Sequence, residues 1–466
     1  MNVPHKGTAM KPISNFASFC LILFAIAAGA SSAQEHRAGY LKISKAEYKD
    51  KLEGFWLGQS LANWTGLITE MDKIGGEGIH GQFYTRDDWG KPDLPSIWGQ
   101  GIPSDLSETI DWVIRDETQI WGADDDTDIE YMYQFLLAKH QTTTLTPEQI
   151  RDGWLTHIYT DENSPFKTSE GQPENYLWVS NQTAHDLMRQ GVLPPETSAP
   201  HYNEHTDMID AQLTTEIFGL YAPTKPDVAL QMAYLPIRTT ARDNAAWAAE
   251  FYIVMHSLAS SIDHSLTPQE QILWLAKQAR KQLPDSSYSA KMYDYVAAQY
   301  EQGISWETTR DRVYQRYQVE QQDGYDITAR DLYCNGCFAS GINFAASIIS
   351  LLYGEGDYQN TVKIAVLTGW DADNPAATWG GLLGFINGKR ALEKAFDQTF
   401  SSKFHIHRTR GNFPNGGIDT FESMAEVGLS IVDKVVLTKL NGKIENGYWF
   451  IPLDATNSDA LAIPYH

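Results

Sequence analysis

The amino-acid sequence predicts an all-α fold of many packed helices, with loop insertions and minor β structure near the C-terminus. Capping boxes recur, in which a Ser or Thr is followed three residues later by a Glu or Gln, and two of them place proline at the first helical position. Long apolar, alanine-rich runs at 243–262 and 341–354 are typical of buried helices. The clearest capping boxes pair Ser44 with Glu47, Thr146 with Gln149, and Thr267 with Glu270.

Residues 34–466 are predicted to form a single domain. Its core spans about residues 46–395 and carries an insertion at about 159–206, which is polar and rich in proline at both ends. Turn signals and alternating apolar residues dominate beyond about residue 400. We therefore interpret 400–466 as a C-terminal extension with irregular structure or short strands.

The first 33 residues have the pattern of a cleaved secretory signal peptide. Lys6 and Lys11 precede an apolar run at about 16–28, and small residues follow at Ser31 and Ala33. This run is shorter than the roughly 20 apolar residues that a membrane-spanning helix needs. We expect a secreted or periplasmic protein with no membrane attachment after cleavage.

The net charge and the cysteine content limit which partners and ligands are expected. The chain has 36 basic and 59 acidic residues, a formal net charge of −23, which repels phosphate backbones. A nucleic acid is therefore not expected as a partner. Cys334 and Cys337 remain after cleavage, and the sequence leaves open whether they form a small disulfide, whereas a zinc site would need further ligands.

Three consecutive acids, Asp124, Asp125 and Asp126, precede a segment with helical periodicity. Thr127 and Glu130 form a capping box, so the acids lie at or just before a helix N-terminus. One acid at this position is an ordinary cap and interacts favourably with the helix dipole. Three in a row repel one another unless a cation neutralises them, and hard divalent cations prefer oxygen ligands of this kind.

A second pair of acids, Asp371 and Asp373, lies in GWDADN between two apolar segments that predict buried helices. A break at Gly369 and a new helix near Pro375 would hold both acids near the interior, where an unpaired charge is strongly unfavourable. Capping of the second helix explains one acid but not two. If both acidic clusters face each other, they form an oxygen-rich site for one or two cations. Neither cluster fits an EF-hand loop.

Three motifs in this order resemble the ADP-ribosylglycohydrolase superfamily. They are LEGFWLGQSLANWTG (52–66), DDDTDIEY (124–131) and GWDADNPAATWGGLLG (369–384), and the resemblance covers about residues 46–395. It implies a compact all-helical fold with a binuclear magnesium site in a cleft, with manganese as the alternative metal. It also implies hydrolysis of a glycosidic bond at a ribose anomeric carbon.

Carried over to this chain, the resemblance implies metal ligands in both acidic clusters. Asp125 and Asp126 match the family's acid pair, and Asp124 stands where a threonine ligand is usual. In the late motif, Asn374 stands where threonine or serine is common, and its side-chain oxygen is a possible ligand. The expected ligands are Asp124, Asp125, Asp126, Asp371, Asp373 and Asn374.

The first motif departs from the family pattern, because Gln59 replaces the acid of the usual G-D-A-L-G. We expect Gln59, Asn63 and Trp64 of this motif to contact the substrate. Some family members use a glutamate after the first helix to position the attacking water. Glu70 is the candidate for this role, and the alternative is a surface or capping acid.

Together these features predict a metal-dependent hydrolase of an N- or O-glycosidic bond. Two cations would orient sugar hydroxyls and activate a water, with Asp126, Asp373 or Glu70 as the catalytic acids around that water. Export and the aromatic content favour a neutral ribosyl, furanosyl or other glycoside, in a small molecule or a glycan. Two alternatives stay open: a non-catalytic, metal-dependent sugar-binding protein, suggested by Gln59 and Asn374, and a metal-dependent phosphohydrolase.

Overall fold

Helices dominate the computed structural model, which describes residues 39–96, 103–168, 170–327 and 334–453. The helices are α1 (Lys45–Gly66), α2 (Asp125–Lys139), α3 (Pro147–His157), α4 (Val179–Arg189), α5 (Ile217–Tyr221), α6 (Pro226–Ile237), α7 (Asp243–Leu258), α8 (Pro268–Arg280), α9 (Tyr288–Glu301), α10 (Trp306–Val313), α11 (Ser340–Gly354), α12 (Tyr358–Thr368), α13 (Asp373–Asn387), α14 (Lys389–Ala395) and α15 (Phe421–Thr438). The strands are β1 (Tyr40–Ser44), β2 (Trp121–Gly122), β3 (Lys403–His405), β4 (Ile418–Thr420), β5 (Lys443–Glu445) and β6 (Tyr448–Pro452). The predicted all-α fold class is confirmed.

The predicted signal peptide, residues 1–33, lies outside the described residues, as does the end of the predicted C-terminal extension. The described residues belong to one compact unit with a continuous hydrophobic core. Within the described residues, no helix combines the length and the apolar character needed to cross a membrane.

Three of the predicted helix starts are found in the structure. Ser44, Thr146 and Thr267 cap α1, α3 and α8, and each side chain accepts a hydrogen bond from the backbone three residues later. The start of α2 differs from the prediction, because Asp124 takes the cap position and Thr127 lies inside the helix. The helix therefore begins within the acidic run, so the acids belong to its first turn.

Helices α1 and α13 pack against each other in direct backbone contact. A β-carbon on Gly54 would collide with the carbonyl oxygen of Gly384, and one on Gly58 would collide with that of Gly380. Glycine at these positions lets the two backbones approach closely, which larger residues would prevent. The first and third sequence motifs are thereby packed against each other.

Two small three-stranded sheets occur among the described residues. In the first, β1 pairs antiparallel with β6, with Tyr40 opposite Pro452, and β5 pairs with the other edge of β6. In the second, β3 lies between β2 and β4, and Trp121 of β2 is paired with Phe404. The second sheet fixes the chain immediately before the acidic run.

Two helices occur where the sequence predicted loops or short strands. The prediction for the region beyond residue 400 is wrong for α15, which has 18 residues and buries Phe421, Met424 and Val432 along one face. Its helical periodicity lies between two turn-rich stretches that dominated the prediction. The predicted insertion at 159–206 likewise contains α4, which buries Ala184 and Met188.

Candidate active site

Carboxylates from four parts of the chain line one small cavity, which we call the acidic cavity. Its volume is about 30 Å³, room for about two water-sized bodies. Its carboxylates belong to Glu70, Asp125, Asp126, Asp210, Asp371 and Asp373, and its apolar walls to Trp178, Val179, Ile209, Leu213 and Phe338. The two acidic clusters of the sequence thus converge in three dimensions.

The first turn of α2 presents the acids of the second motif. The backbone N–H of Ala123 donates to the carbonyl of His405, which ties the chain to β3 just before the helix. Asp124 Oδ1 accepts the N–H of Asp126 at 3.2 Å as the helix cap. Asp125 and Asp126 then lie where the helix dipole favours negative charge.

The third motif is held by an unusual backbone conformation at Trp370. Its φ of 56° lies in the left-handed region, which costs a non-glycine residue about 1–3 kcal/mol. Its N–H donates to the carbonyl of Lys73 at 2.6 Å, and its carbonyl accepts the N–H of Met71 at 2.8 Å. This pairing fixes the segment that carries Glu70 against the segment that carries Asp371.

The acids form two sets, and within each set the ligand oxygens lie within 4.8 Å of one another. One set is Glu70, Asp371 and Asp373, and the other is Asp124, Asp125 and Asp126. Asn63 connects the two sets. Its Nδ2 lies 3.0 Å from Oδ2 of Asp124 and 3.4 Å from Oδ2 of Asp373. One amide group therefore fixes the spacing between both sets.

Burial and crowding raise the pKa of the acids around the cavity. The pKa of Asp126, Asp371 and Glu70 lies well above the ordinary carboxyl range, first because they are buried and then because neighbouring carboxylates repel their charge. Burial also raises the pKa of Asp373 to about 7 and that of Asp210 to about 6. The ionised acids therefore need positive charge close by.

The donor set fits a hard divalent cation. Asp373 Oδ1 and Asp210 Oδ2 are buried and make no hydrogen bond within the described structure. A buried carboxylate oxygen without a partner is costly, whereas carboxylate oxygens are preferred ligands of Mg²⁺ and similar ions. A cation bound beside Asp373 would give its free oxygen a partner and relieve the repulsion between the acids.

Comparison with known proteins identifies the family of this chain. The family model described as ADP-ribosylglycohydrolase matches residues 44–406, which include all three motifs. The chain belongs to the ADP-ribosylglycohydrolase family. A solved structure described as "ADP-ribosylglycohydrolase-related protein complex" aligns at 14% identity and a TM-score of 0.44, covering 83% of this chain and 98% of that chain. No curated protein sequence matches the chain significantly.

Membership of the ADP-ribosylglycohydrolase family confirms the resemblance inferred from the motifs. It supports a hydrolase of the glycohydrolase type, and members of this family typically depend on divalent metals. The acidic clusters lie within the matched residues, so the family assignment and the cavity concern the same part of the chain.

Gln59, the departure from the usual ADP-ribosylglycohydrolase motif, is fully buried behind the acids. Its Nε2 donates to Glu130 Oε2 at 2.7 Å, and Glu130 Oε1 accepts the N–H of Ile217 at 2.7 Å. Gln59 therefore connects α1 with α2 and the start of α5. The three residues predicted to bind substrate, Gln59, Asn63 and Trp64, do not line the acidic cavity. Their contacts with a substrate stay predictions.

Trp64 and Asn374 also make internal contacts. Trp64 Nε1 donates to the carbonyl of Gly122 at 2.8 Å, and the guanidinium of Arg115 lies 4.7 Å from its ring centroid. Asn374 Nδ2 donates to Asp126 Oδ1 at 3.0 Å, so this residue orients one of the cavity acids. Its assignment as a metal ligand stays a prediction.

Sequence reasoning missed two charged residues of the site. Asp210, which follows the predicted insertion, lines the cavity, and its Oδ1 accepts the N–H of Asn181 at 2.7 Å. Arg410 Nε lies 2.7 Å from Asp128 Oδ2, with both side chains buried. Burial raises the pKa of Asp125, and the charge of Arg410 partly offsets that rise. Neither residue stands in a recognisable motif, and Arg410 lies beyond the matched residues.

The sequence left open whether the two cysteines after the signal peptide form a disulfide. Cys334 and Cys337 form a disulfide, with their Cα atoms 5.5 Å apart. The carbonyl of Cys337 accepts a hydrogen bond from Asn343 Nδ2 at 2.7 Å, and Asn343 Oδ1 accepts the N–H of Asp371 at 3.2 Å. The neighbouring Phe338 lines the cavity, so this loop supports the site directly.

Proposed function

We propose that the protein is a secreted, divalent-metal-dependent hydrolase of an N- or O-glycosidic bond. The observation that carries this proposal is the convergence of six carboxylates, four of them buried, on one cavity in a member of a glycohydrolase family. Its substrate is a neutral ribosyl, furanosyl or other glycoside, either a small molecule or part of a glycan. Export rests on the signal-peptide pattern of residues 1–33.

The carboxylates of both clusters would hold one or two Mg²⁺ ions, with Mn²⁺ as the alternative. When bound, such ions polarise sugar hydroxyls and lower the pKa of a water molecule. Asn63 and Asn374 keep the carboxylates in place through hydrogen bonds to Asp124, Asp373 and Asp126. The proposed ligands are Asp124, Asp125, Asp126, Asp371 and Asp373.

Glu70 is the proposed general base. Its carboxylate removes a proton from the water whose oxygen bonds to the anomeric carbon. The bond from that carbon to the leaving nitrogen or oxygen breaks, and the proton passes to the leaving atom. Glu70 lines the acidic cavity, and its carboxylate lies within 4.8 Å of ligand oxygens of Asp371 and Asp373. Asp126 and Asp373 line the same cavity and are the other acids proposed to orient this water.

The geometry favours hydrolysis of glycosides over the two alternatives. Gln59 lies behind the acids, so its presence in place of a family acid removes no carboxylate from the cavity wall. This weakens the main argument for a non-catalytic sugar-binding protein. Among the described lining residues there is no lysine or arginine, so the cavity offers no side-chain cation to a phosphate group.

A substrate screen tests the proposal. The secreted protein is assayed with Mg²⁺, with Mn²⁺ and with EDTA against aryl furanosides, aryl pyranosides, nucleosides, ADP-ribosyl-arginine and an aryl phosphate. We expect glycoside cleavage that EDTA abolishes. The Asp371→Asn variant should lose this activity, whereas Asp152→Asn, which removes an exposed acid on α3, should keep it.

Cleavage of the aryl phosphate alone would identify a phosphohydrolase. No turnover of any substrate, together with metal-dependent sugar binding, would identify a binding protein. Full activity of a folded Asp371→Asn variant would show that the acidic cavity is not the active centre. Circular dichroism of each variant separates loss of function from loss of folding.

A further inference from the structure

A second cavity, much larger than the acidic one, lies among α9, α10, α11 and α12. Its volume is about 760 Å³, within the range of roughly 300–1,000 Å³ that is usual for small-molecule sites. We call it the aromatic pocket, because Trp89, Trp306, Tyr300 and Tyr353 line it. It shares no lining residue with the acidic cavity, and the proposed hydrolysis gives it no role.

Polar groups surround the aromatic side chains of this pocket. The ammonium of Lys363 lies 5.0 Å from the ring centroid of Trp89, and the Tyr300 hydroxyl donates to Glu355 Oε1 at 2.9 Å. Glu301 and Asn360 are exposed at the rim. The pocket therefore combines flat apolar faces with hydrogen-bond donors and acceptors, a combination that fixes the orientation of a polar ligand.

The charges of the aromatic pocket oppose a strongly charged ligand. Arg86 is already paired with Glu307, through hydrogen bonds of 2.6 and 2.8 Å. The other lining cation is Lys363, and Glu301 and Glu355 contribute two lining carboxylates, so the ionised side chains of the lining include both signs. The net charge of −23 disfavours an anion, and Lys363 disfavours a cation beside Trp89.

We propose that the aromatic pocket binds a neutral saccharide, as a second site separate from the acidic cavity. The rings of Trp89 and the tyrosines would make apolar contacts with the C–H groups of the sugar, with Lys363 over one face of Trp89. Lys363, Glu301 and Asn360 would bind its hydroxyls. This inference goes beyond the proposed hydrolysis, because saccharide binding here requires neither a metal nor turnover.

Saturation-transfer NMR and calorimetry with defined saccharides test the proposal. The probes are cellohexaose, xylohexaose and mannohexaose as free oligosaccharides, and a high-mannose glycopeptide as a protein-linked glycan. They are added in the presence of EDTA, so that the acidic cavity contributes no metal-dependent binding. We expect at least one probe to bind, and its class distinguishes a free oligosaccharide from a glycoprotein glycan.

Variants then locate the binding site. Trp89→Ala should weaken binding by about tenfold, the loss expected for one aromatic contact together with its buried area, and Asn360→Ala should weaken it less. Tyr202→Ala, which removes an exposed aromatic side chain outside both cavities, should leave the affinity unchanged. Asp371→Asn should also bind normally, which separates this proposal from the proposed hydrolysis.

Two outcomes would overturn the proposal. One is that none of the four probes binds to the folded protein. The other is that a probe binds with the same affinity to the parent and to the pocket variants. If Trp89→Ala fails to fold, Asn360→Ala and Glu301→Gln decide the matter, because both change exposed side chains at the rim.

Discussion

The acidic cavity and the aromatic pocket differ in almost every physical property. The acidic cavity is about 30 Å³, and its wall carries six carboxylates. The aromatic pocket is about 760 Å³, and its mixed charges are largely paired or exposed. The larger space suits a ligand, but only the smaller one concentrates groups whose pKa is far from its usual range. The volume therefore indicates a binding site in the aromatic pocket, and the perturbed pKa values indicate a reaction centre at the acidic cavity.

The largest difference between the two regions should be in metal binding. Asp126→Asn removes a buried ligand charge and should lower the affinity for Mg²⁺ by about a hundredfold or more. The matched variant Glu301→Gln removes a carboxylate of the aromatic pocket and should leave that affinity unchanged. Isothermal titration with MgCl₂ measures both. Equal losses in the two variants would mean that the cation is not bound at the acidic cavity.

Replacing glycine by alanine should destabilise the protein more at the acidic cavity than at the aromatic pocket. A β-carbon on Gly66 would collide with the Cα of Asp373, so Gly66→Ala should cost about 1–3 kcal/mol of stability and reduce hydrolysis. Gly303 lines the aromatic pocket with a φ of 68° and open space around it. Gly303→Ala should cost only about 1 kcal/mol through backbone strain. Urea denaturation would contradict this prediction if Gly303→Ala proved the more damaging change.

Two asparagines provide a third comparison. Asn63 donates to carboxylates of both acidic sets, so Asn63→Ala should lower hydrolytic activity by about tenfold, as loss of a group that orients metal ligands does. Asn360→Ala at the aromatic pocket serves as the control for removal of an amide. Asn63→Ala should shift the Mg²⁺ dependence of the rate, whereas a general loss of stability would lower the rate without changing that dependence.

A fourth prediction is a pH-dependent change in the stability of the metal-free protein. Burial raises the pKa of Asp373 from its ordinary value of 3.8 to about 7 in the folded state, so folding favours the protonated carboxyl. The stability that this group contributes is present below about pH 4 and is lost as the pH rises to about 7. Added Mg²⁺ should restore more stability at high pH, because the cation competes with protons for the acids.

Thermal unfolding in EDTA across this pH range measures that contribution. Relative to Asp373→Asn, the parent should lose a few degrees in Tm as the pH rises, because the variant has no charge to bury. Parallel curves for the two proteins would show that Asp373 ionises in the folded state as easily as in the unfolded state. The same series with MgCl₂ tests the competition between cations and protons.

The sequence predicted the parts of this molecule that follow local rules. The starts of α1, α3 and α8 could be predicted because a capping box is a short-range pattern. The convergence of Asp125 and Asp371 could be inferred because charges between buried helices need a partner.

Residues that depend on tertiary contacts could not be predicted in this way. Asp210 and Arg410 each stand among ordinary neighbours, and only the packing of distant segments brings them to the acids. The aromatic pocket was missed for the same reason, because Trp89 and Trp306 come from segments far apart in the chain. The face of α15 was visible as a helical period, but the turn-rich stretches on both sides obscured it.

The pairing of β1 with β6 has a practical consequence. Tyr40 lies opposite Pro452, and the N–H of Leu453 donates to the carbonyl of Gly39 at 2.9 Å, so the first and last described residues lie side by side. A short linker between these points would allow circular permutation, with new ends opened in a distant surface turn. The first and third motifs could then be made in the opposite order along the chain and still assemble around the same carboxylates.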